Sequence, residues 1–507
     1  MSLMGLDIGT TGTKANAFAE DGRIVSSAYR EYPLLHPRPG WIELDAERVY
    51  ECVCEAVGEA AAGASRDPVR ALAISTLGEA AVPVDCDGGV LATSILGFDN
   101  RASDMFDRWM QGQDPVEIMR ITGQPPSQMF TVVKLMWIRE NMPQVYSRMA
   151  GYMTFGDFAH MKMGLEPRID YSMAARTMAF DIHRKRWSES ICGAAGVSPE
   201  LFSRASPAGQ VVGELGPAAG RELGLPTGCV VCAGSHDQPA GALGSGVTRS
   251  GTAMDATGTV ECFAVAMSQP VVNRTMLESN LACYPHAAPG LYVSLAFNFT
   301  GGSLLRWVRD NFAAREQQEA ERRGVDVYQV LTEAMDKEPT DLLLQPHFTM
   351  SGTPHMDANP VGAIVGLTLS TTRGQFLRAV LEGVSYEMKL NLEILSQAGV
   401  EVSEFRAIGG GAKSDFWLQL KADMFNRPVV RLEVTEAAGL GMAIAAGVAV
   451  GAYGSAHEAA EVLVRPQRRF EPDSRRADYY DSMLPRYRAL YGALKAWQAQ
   501  VGYRQEA

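Results

Sequence analysis

The sequence lacks a long apolar run, a cysteine framework and a concentrated basic surface. No apolar stretch approaches the roughly 20 residues that span a bilayer, and residues 1–4 lead into a predicted strand instead of a signal peptide. The eight cysteines are irregularly spaced, which is typical of reduced thiols. These absences predict a cytoplasmic chain without a membrane partner.

Basic residues are too few and too scattered to indicate nucleic-acid binding. The formal net charge is -12 and the sequence pI is about 5.3, whereas phosphate backbones require clustered Lys and Arg. The densest basic stretch, residues 183–186, is short enough to be a solvated turn. We therefore expect no nucleic-acid partner.

Two common nucleotide motifs are also missing. Residues 409–414 (GGGAKS) resemble a P-loop only superficially, because Ala412 stands where the Gly before the Lys should be. No G-x-G-x-x-G fingerprint follows the first predicted strand. The pair Cys229 and Cys232 has CxxC spacing but no second pair, so we expect both cysteines to be buried in a strand.

Length and composition predict a folded protein with two large domains. A chain of 507 residues exceeds what a single core usually holds, and 46% hydrophobic residues, 21% charged residues and a mean hydropathy of -0.07 are ordinary for a globular protein. A Gly-rich stretch between residues 241 and 251 indicates a boundary near residue 245. We predict an N-terminal domain over residues 1–245 and a C-terminal domain over residues 246–507.

The order of the predicted elements indicates an α/β architecture. An antiparallel meander of three strands is predicted over residues 3–8, 14–19 and 23–29. A helix is predicted to begin after the N-cap Asp45, and a strand follows over residues 69–75. A later helix over residues 375–396 is predicted to bury one apolar face, and Thr372 with Gln375 forms a capping box at its start.

Residues 7–14 (DIGTTGTK) are the strongest single indication of function. An Asp at the end of a strand, followed by a turn rich in Gly and hydroxyl groups, can place a carboxylate near Mg²⁺ while the turn faces phosphate oxygens. Gly258-Thr259 forms a second turn of this type. An ordinary hairpin turn is the alternative for each, because such short motifs also occur by chance.

Asp237 follows a predicted strand and is a candidate general base. A carboxylate there could accept the proton of a hydroxyl that attacks a γ-phosphoryl group, and an N-cap or turn role is the alternative. The neighbouring His236 is expected to face the opposite side, because adjacent strand residues alternate. His347 and His355 are expected to be loop residues without a carboxylate partner that would support a metal site.

Two longer patterns resemble the signatures of the FGGY family of carbohydrate kinases. The first is MFTVVKLMWIREN at residues 129–141, and the second is GAIVGL at residues 362–367 with QF and AVLE at residues 375–382. Residues 39–43, 98–101 and 408–414 resemble shorter segments of the family. The resemblance covers nearly the whole chain. It implies two ribonuclease-H-like domains of the actin-like ATPase fold, with a cleft that closes over ATP and a sugar or polyol.

The resemblance also implies roles for individual residues. Asp7 is similar to the Mg²⁺-associated Asp of the family, and Asp237 is similar to its catalytic Asp, which also lies near the metal. Nucleotide contacts are implied for Thr10, Thr11, Gly12, Thr13, Lys14, Gly258, Thr259, Gly302, Arg306, Gly410, Gly411, Ala412 and Asp415. Substrate contacts are implied for Gly78, Glu79, Asp99, Arg101, Asp237 and Gln238.

Departures from the family pattern leave the substrate open. Glu79 stands where the xylulose kinases of the family usually carry His, Gly78 replaces the Arg that precedes the Glu of the glycerol kinases, and Phe98 replaces the family's Trp. Residues 409–417 are most similar to the xylulose-kinase side. We therefore expect a pentulose such as xylulose, with glycerol, a tetritol or gluconate as alternatives. A carboxylate at Glu79 would suit hydroxyl recognition and would oppose an anionic substrate.

Two further alternatives belong to other functional classes. A nucleotide-driven chaperone or filament protein shares the actin-like fold but lacks the two signatures. A sugar-binding pseudokinase is disfavoured because Asp7, Thr11 and Asp237 are all present. The oligomeric state is left open, with a homodimer as one candidate.

Overall fold

The computed structural model describes residues 2–503, which form mixed sheets flanked by helices. The strands before residue 237 are β1 (Ser2–Ile8), β2 (Gly12–Phe18), β3 (Ile24–Glu31), β4 (Glu43–Leu44), β5 (Val69–Thr76), β6 (Ala81–Val84), β7 (Ser94–Ile95), β8 (Gly151–Thr154), β9 (Arg168–Asp170), β10 (Phe180–Asp181), β11 (Arg186–Trp187), β12 (Arg204–Ser206), β13 (Val211–Glu214) and β14 (Val230–His236). The helices up to residue 244 are α1 (Ala46–Gly63), α2 (Ser103–Met110), α3 (Pro115–Thr122), α4 (Thr131–Asn141), α5 (Pro143–Arg148), α6 (Phe155–Lys162), α7 (Tyr171–Arg176), α8 (Glu189–Ala195), α9 (Pro217–Leu223) and α10 (Asp237–Gly244).

The second half of the chain adds a further set of strands and helices. Its strands are β15 (Thr252–Thr257), β16 (Glu261–Met267), β17 (Ala282–Pro285), β18 (Tyr292–Asn298), β19 (Leu343–Gln345), β20 (Ala363–Val365), β21 (Glu404–Ile408), β22 (Val429–Leu432) and β23 (Pro466–Phe470). Its helices are α11 (Arg274–Glu278), α12 (Gly302–Phe312), α13 (Ala314–Arg323), α14 (Val327–Glu333), α15 (Arg373–Gln397), α16 (Asp415–Phe425), α17 (Ala437–Ala449), α18 (Ala456–Leu463) and α19 (Ser474–Val501).

The first large sheet has the strand order β13-β14-β5-β1-β2-β3. Strands β1, β2 and β3 form the predicted antiparallel meander, and β1, β5 and β14 run parallel to one another. Asp7 pairs in register with Ser75, which in turn pairs with Ser235. Because these parallel strands end at one edge of the sheet, Asp7 and Asp237 are brought to the same edge.

The second large sheet repeats the topology of the first. Its order is β17-β18-β16-β15-β21-β22-β23, with an antiparallel meander of β15, β16 and β18, two further parallel strands and an antiparallel edge strand. Strand β17, antiparallel to β18, is an addition without a counterpart in the first sheet. The repeat places the β15–β16 turn at the position that the β1–β2 turn occupies in the first sheet. The two halves share this topology although their sequences show no detectable repeat.

Helix α17 connects the two halves. Although it follows the second sheet in the chain, it packs against β1, β5 and β14 of the first sheet and against α10. The predicted boundary at residue 245 lies between α10 and β15, and it stays a prediction because α17 returns to the first sheet.

Several local predictions are confirmed. Asp45 caps α1 by accepting hydrogen bonds from the N–H groups of residues 47 and 48, and Thr372 with Gln375 forms the predicted capping box of α15. Cys229 and Cys232 are both buried as predicted, but only Cys232 lies within strand β14, which begins one residue after Cys229. The predicted helix is α15, and its apolar face is buried; burial extends beyond that face, because residues 377–391 are buried on all sides between the second sheet and helices α16 and α19.

Membrane insertion finds no support in the helices. No helix between residues 2 and 503 combines the length and the apolar character that a bilayer span requires.

Candidate active site

The first Gly and Thr turn joins β1 to β2 and is held by backbone hydrogen bonds. The Gly9 N–H donates to the Gly12 carbonyl (2.9 Å), and the Tyr32 hydroxyl donates to the Gly9 carbonyl (2.6 Å). Thr10 is half-buried and Thr11 is exposed. The turn therefore offers two Thr side chains on a fixed backbone.

Asp7 lies beneath this turn, inside a network of polar contacts. Its Oδ1 accepts a hydrogen bond from the Ser75 hydroxyl (2.9 Å), and the buried Thr13 hydroxyl donates to the Asp7 carbonyl (3.1 Å). Burial raises the pKa of Asp7, and the nearby Glu436 raises it further, while the hydrogen bond from Ser75 lowers it in part. Lys14 Nζ lies 2.9 Å from Glu436 Oε2, which links the first turn to the C-terminal half.

The second turn joins β15 to β16 and is bound to the start of α12. The Gly302 N–H donates to the Gly258 carbonyl (2.8 Å), and the N–H groups of Gly301 and Ser303 donate to the Thr259 carbonyl (3.0 and 3.2 Å). Gly258 and Thr259 are exposed, and so is Arg306 on the first turns of α12. The exposed surface of the turn is therefore free to face a ligand.

A third Gly turn follows β21 and lies beside the second turn. Residues Gly410–Lys413 form a short 3-10 helix that contacts β15, with Ala412 buried. Asp415 begins α16 and forms ion pairs with Arg431 and Arg468. The fold thus brings Gly258, Thr259, Gly302, Gly410, Gly411 and Ala412 to one end of the second sheet, with Asp415 one turn further on.

A buried ion cluster supports the second turn, and sequence reasoning missed it. Lys421 Nζ lies 2.7 Å from Asp255 Oδ2, 2.9 Å from Glu261 Oε1 and 2.6 Å from the Thr257 hydroxyl. The three charged side chains are almost fully buried. Lys421 lies more than 150 residues from its partners, so no local pattern in the sequence could have indicated the cluster.

An open cavity of about 280 Å³ lies between the two halves. Asp7, Asp237 and Gln238 line it from the N-terminal half, and Thr435 and Glu436 are among the residues that line it from the C-terminal half. Asp7 and Asp237 are therefore neighbours across one cavity although 230 positions separate them in the sequence.

Asp237 begins helix α10 at the edge of this cavity. Its Oδ1 is buried and accepts no well-aligned hydrogen bond from residues 2–503. Burial raises the pKa of Asp237 to about 7, and the carboxylates of Asp7 and Glu79 add to the rise. A carboxyl group with a pKa near neutrality is well matched to proton transfer at physiological pH.

The expectation that His236 faces away from Asp237 is wrong. His236 Nε2 lies 3.2 Å from Asp237 Oδ1, because the strand alternation ends at His236 and helix α10 begins at Asp237. His236 Nδ1 lies 3.0 Å from the Tyr284 hydroxyl. Gly78 borders the same ring, since a Cβ there would lie 2.9 Å from Nε2.

Glu79 is buried and forms an ion pair with Arg176. Arg176 Nε donates to Glu79 Oε1 (2.5 Å), and its Nη1 donates to Gln124 Oε1 (3.2 Å). Thr131, within the first signature, donates to the Glu79 carbonyl (2.7 Å). Because Arg176 balances the charge of Glu79, the argument that Glu79 opposes an anionic substrate no longer holds. Sequence reasoning missed Arg176, since 97 positions separate it from Glu79.

Asp99 and Arg101 form a buried pair that fixes their own loop. Asp99 accepts hydrogen bonds from the Arg101 N–H (2.9 Å) and Nε (2.8 Å) and from the Ile42 N–H (2.6 Å). Arg101 also pairs with Glu43 (2.7 Å) and lies 3.8 Å from the ring centroid of Trp41. Protein groups thus occupy both carboxylate oxygens of Asp99, which points to a positioning role rather than to direct substrate contact.

Lys134 of the first signature supports the neighbouring backbone. Its Nζ donates to the carbonyls of Met129 (2.6 Å) and Gly97 (3.3 Å), and burial lowers the pKa of Lys134 to about 7. Phe98, next to Gly97, is 59% exposed. The Phe98 side chain, at the position of the family's Trp, is therefore exposed enough to contact a ligand.

The donor set of the cavity suits Mg²⁺ that binds together with phosphate. No group of three or more His, Cys, Asp or Glu side chains within residues 2–503 is arranged to hold a metal ion. Mg²⁺ commonly uses only one or two carboxylates and takes its other ligands from phosphate and water. Asp7 and Asp237 line the same cavity, and Oδ1 of Asp237, which accepts no well-aligned hydrogen bond from residues 2–503, is a suitable oxygen donor.

His347 lies in a loop, as expected, but it is fully buried and has a carboxylate partner. Its Nε2 lies 3.2 Å from Glu387 Oε1, while the Tyr487 hydroxyl donates to Glu387 Oε2 (2.5 Å). His355 stacks on Tyr491 of α19. These contacts attach the last helix to the second half of the chain, because Tyr487 and Tyr491 both lie on α19.

Comparison with known proteins identifies the class. Residues 2–244 match the N-terminal domain of the FGGY family of carbohydrate kinases, and residues 254–450 match its C-terminal domain. The chain belongs to this family and is a carbohydrate kinase with the actin-like ATPase fold.

Individual relatives align over almost the full length of the chain. A xylulose kinase of Bacillus subtilis (strain 168) is 28% identical over 96% of both chains. A glycerol kinase of Bordetella parapertussis is 30% identical over 98% of this chain and 97% of its own. The crystal structure of a xylulose kinase from Rhodospirillum rubrum has a TM-score of 0.87 at 27% identity and covers 98% of this chain and 99% of its own.

Proposed function

We propose that the protein transfers the γ-phosphoryl group of ATP to a hydroxyl of a pentulose such as xylulose, with Asp237 as the general base. The observation that carries the proposal is the position of Asp237. Its carboxyl group lies at the cavity between the two halves, with a raised pKa of about 7 and an oxygen that no well-aligned hydrogen bond from residues 2–503 occupies.

The two Gly turns are the proposed phosphate contacts. In the first, Thr10, Thr11 and the Gly12 backbone face the phosphates, while Thr13 holds the Asp7 carbonyl and Lys14 ties the turn to Glu436. In the second, the contacts come from Gly258, Thr259, Gly302 and Arg306. Gly410, Gly411, Ala412 and Asp415 border the adenosine.

The proposed chemistry is an in-line transfer of the γ-phosphoryl group. Asp237 accepts the proton of the substrate hydroxyl as its oxygen bonds to the γ-phosphorus, and the bond from this phosphorus to the β–γ bridging oxygen breaks to release ADP. Mg²⁺ held by Asp7 and Asp237 would offset negative charge on the phosphates. Closure of the two halves would exclude water and limit ATP hydrolysis.

The substrate end of the cavity is proposed to lie at Gly78, Glu79 and Gln238. Glu79 with Arg176 and the adjacent Gln124 offers both acceptors and donors, which suits a polyhydroxylated substrate. Asp99 and Arg101 hold the loop that bears Phe98. Xylulose kinases among the relatives support a pentulose.

Glycerol is the second candidate acceptor. Gln238 follows Asp237 and Glu79 is retained, as in the glycerol kinases of the family, and a glycerol kinase is 30% identical to this chain. The neutralised charge of Glu79 also keeps gluconate among the acceptors that need to be tested.

The test is a coupled ADP-release assay with xylulose, ribulose, glycerol, erythritol and gluconate. We expect a pentulose to give the highest kcat/KM, and Asp237→Asn to lower kcat by about 100-fold or more. Asp104→Asn removes an exposed carboxylate on α2 and serves as the matched control with unchanged activity. Turnover without any acceptor, or an active Asp237→Asn enzyme, would contradict the proposal.

A further inference from the structure

Tyr284 makes a buried hydrogen bond that joins the two halves of the protein. It lies on β17 of the second sheet, while His236 ends β14 of the first sheet. The Tyr284 hydroxyl lies 3.0 Å from His236 Nδ1, and both side chains are buried. The neighbouring Cys283 N–H donates to the Gly123 carbonyl (2.7 Å), so the backbone of β17 is also held against the N-terminal half.

The other side of the His236 ring faces the proposed base. His236 Nε2 lies 3.2 Å from Asp237 Oδ1. This contact is close but is not a well-aligned hydrogen bond. Because an ionised carboxylate can only accept, a proton at this contact belongs to Nε2. In the neutral imidazole Nδ1 is then the acceptor, and the Tyr284 hydroxyl must donate to it. Tyr284 thereby fixes both the orientation of the ring and the position of its proton.

The backbone of His236 is fixed as well, which leaves the ring as the adjustable part. The His236 N–H donates to the Ser172 hydroxyl (2.9 Å), and the Ser235 hydroxyl donates to the His236 carbonyl (3.0 Å). The hydrogen bond between Nδ1 and the Tyr284 hydroxyl therefore acts on the ring itself and opposes its rotation.

We propose that Tyr284 is a positioning residue for phosphoryl transfer: through His236 it holds the Asp237 carboxylate in its productive orientation, and it does so from the opposite half of the protein. The inference rests on the proposed role of Asp237. It adds a link between the arrangement of the two sheets and the geometry of the base, because any shift of β17 away from β14 breaks the bond between Tyr284 and His236.

Tyr284→Phe tests this inference, because it removes the hydroxyl and keeps the ring. Misplacing a catalytic group can cost roughly 100-fold in rate, so we expect kcat with the preferred sugar to fall by about 10- to 100-fold. KM for the sugar should change by less than about threefold, since the change weakens the positioning of the base and not ground-state binding.

Tyr386→Phe is the matched control. Tyr386 is also fully buried, on α15, and its hydroxyl has no hydrogen-bond partner within residues 2–503. The control should keep the kcat of the wild type. Thermal unfolding of both variants separates a loss of stability from a loss of positioning.

His236 variants provide a second, independent measurement. Gln can place an amide N–H near the position of the imidazole Nε2, whereas Asn reaches only the region of Nδ1. We expect His236→Gln to retain more of the wild-type kcat than His236→Asn. In the His236→Gln background, Tyr284→Phe should cost less than in the wild type, because coupled residues are not additive.

Three results would overturn the inference. They are a wild-type kcat for Tyr284→Phe, a loss expressed mainly as a higher KM, and full additivity of Tyr284→Phe with His236→Gln. The proposed function fails separately, if Asp237→Asn remains active. An inactive Asp237→Asn enzyme together with a fully active Tyr284→Phe enzyme would leave the general base in place and remove only the role of Tyr284.

Discussion

The contact between helices α10 and α17 sets how precisely Asp237 is positioned, and Gly441→Ala tests it. A Cβ at Gly441 would lie 2.9 Å from the Gly244 nitrogen and closer still to the Ala240 carbonyl oxygen, whereas Cβ atoms essentially never come within 3.0 Å of such atoms. Ala240 and Gly244 belong to α10, whose first residue is Asp237. The new methyl group must therefore push α17 and α10, which carries the proposed base, apart.

The structure gives the size of the expected effect. Restoring contact distances requires α10 and α17 to separate by about 1 Å, and a displacement of that size can cost roughly 100-fold in rate. Overpacking costs about 1–3 kcal/mol of stability, while replacing Gly by Ala in a helix returns about 1 kcal/mol. We therefore expect a large decrease in kcat with only a small decrease in the free energy of unfolding.

The assay compares kcat and the free energy of unfolding for Gly441→Ala with those for Gly492→Ala. Gly492 lies in the exposed part of α19, and a Cβ there meets no atom within 4 Å. The control should gain up to about 1 kcal/mol of stability and keep its kcat. The reasoning is refuted if Gly441→Ala has the kcat of the wild type, or if Gly492→Ala loses activity to the same extent.

Three further predictions concern charged groups. Arg176→Met leaves the buried Glu79 without its paired cation and should destabilise the fold by about 3–5 kcal/mol in urea unfolding. The double variant Arg176→Met, Glu79→Met should recover much of this loss. A single variant as stable as the wild type would contradict the presence of a buried ion pair. Lys421→Met removes the cation shared by two buried carboxylates and should lower the free energy of unfolding by at least as much, measured in the same way. A decrease below about 1 kcal/mol would argue against the buried ion cluster. Asp237 must be ionised to accept a proton, and its pKa is raised to about 7. We therefore expect kcat/KM to fall as the pH decreases through about 7, by roughly tenfold per pH unit well below it. A kcat/KM that stays constant down to pH 5 in a folded enzyme would contradict this pKa.

Local structure was largely predictable from the sequence because its causes are local. The meander of β1 to β3 follows from short apolar runs and tight turns, and the starts of α1 and α15 follow from Asp45 and from Thr372 with Gln375. The candidate phosphate turns were also recognisable, because their Gly and Thr residues are contiguous. Each of these signals spans fewer than about ten residues.

Apart from the local error at His236, the errors share one cause, which is that an element distant in the sequence decided the outcome. The alternation rule failed at His236 because helix α10 begins at the next residue. His347 gained a carboxylate partner from α15, and Glu79 gained Arg176 from α7. The burial of α15 on all sides likewise depends on α16 and α19. The residue pattern within α15 does not indicate these contacts.

The sequence by itself determined the class of the protein, the order of its elements and the two turns that are proposed to face phosphate, because these depend on residues that are close in the chain. Only the tertiary structure decided how the site is assembled. The pairing of β1, β5 and β14 brings Asp7 and Asp237 to one cavity, and β17 brings Tyr284 to His236. The physical reason is that burial and charge pairing act through space: the pKa of Asp237 depends on surroundings supplied by residues at 7 and 79, whose proximity only the folded chain creates.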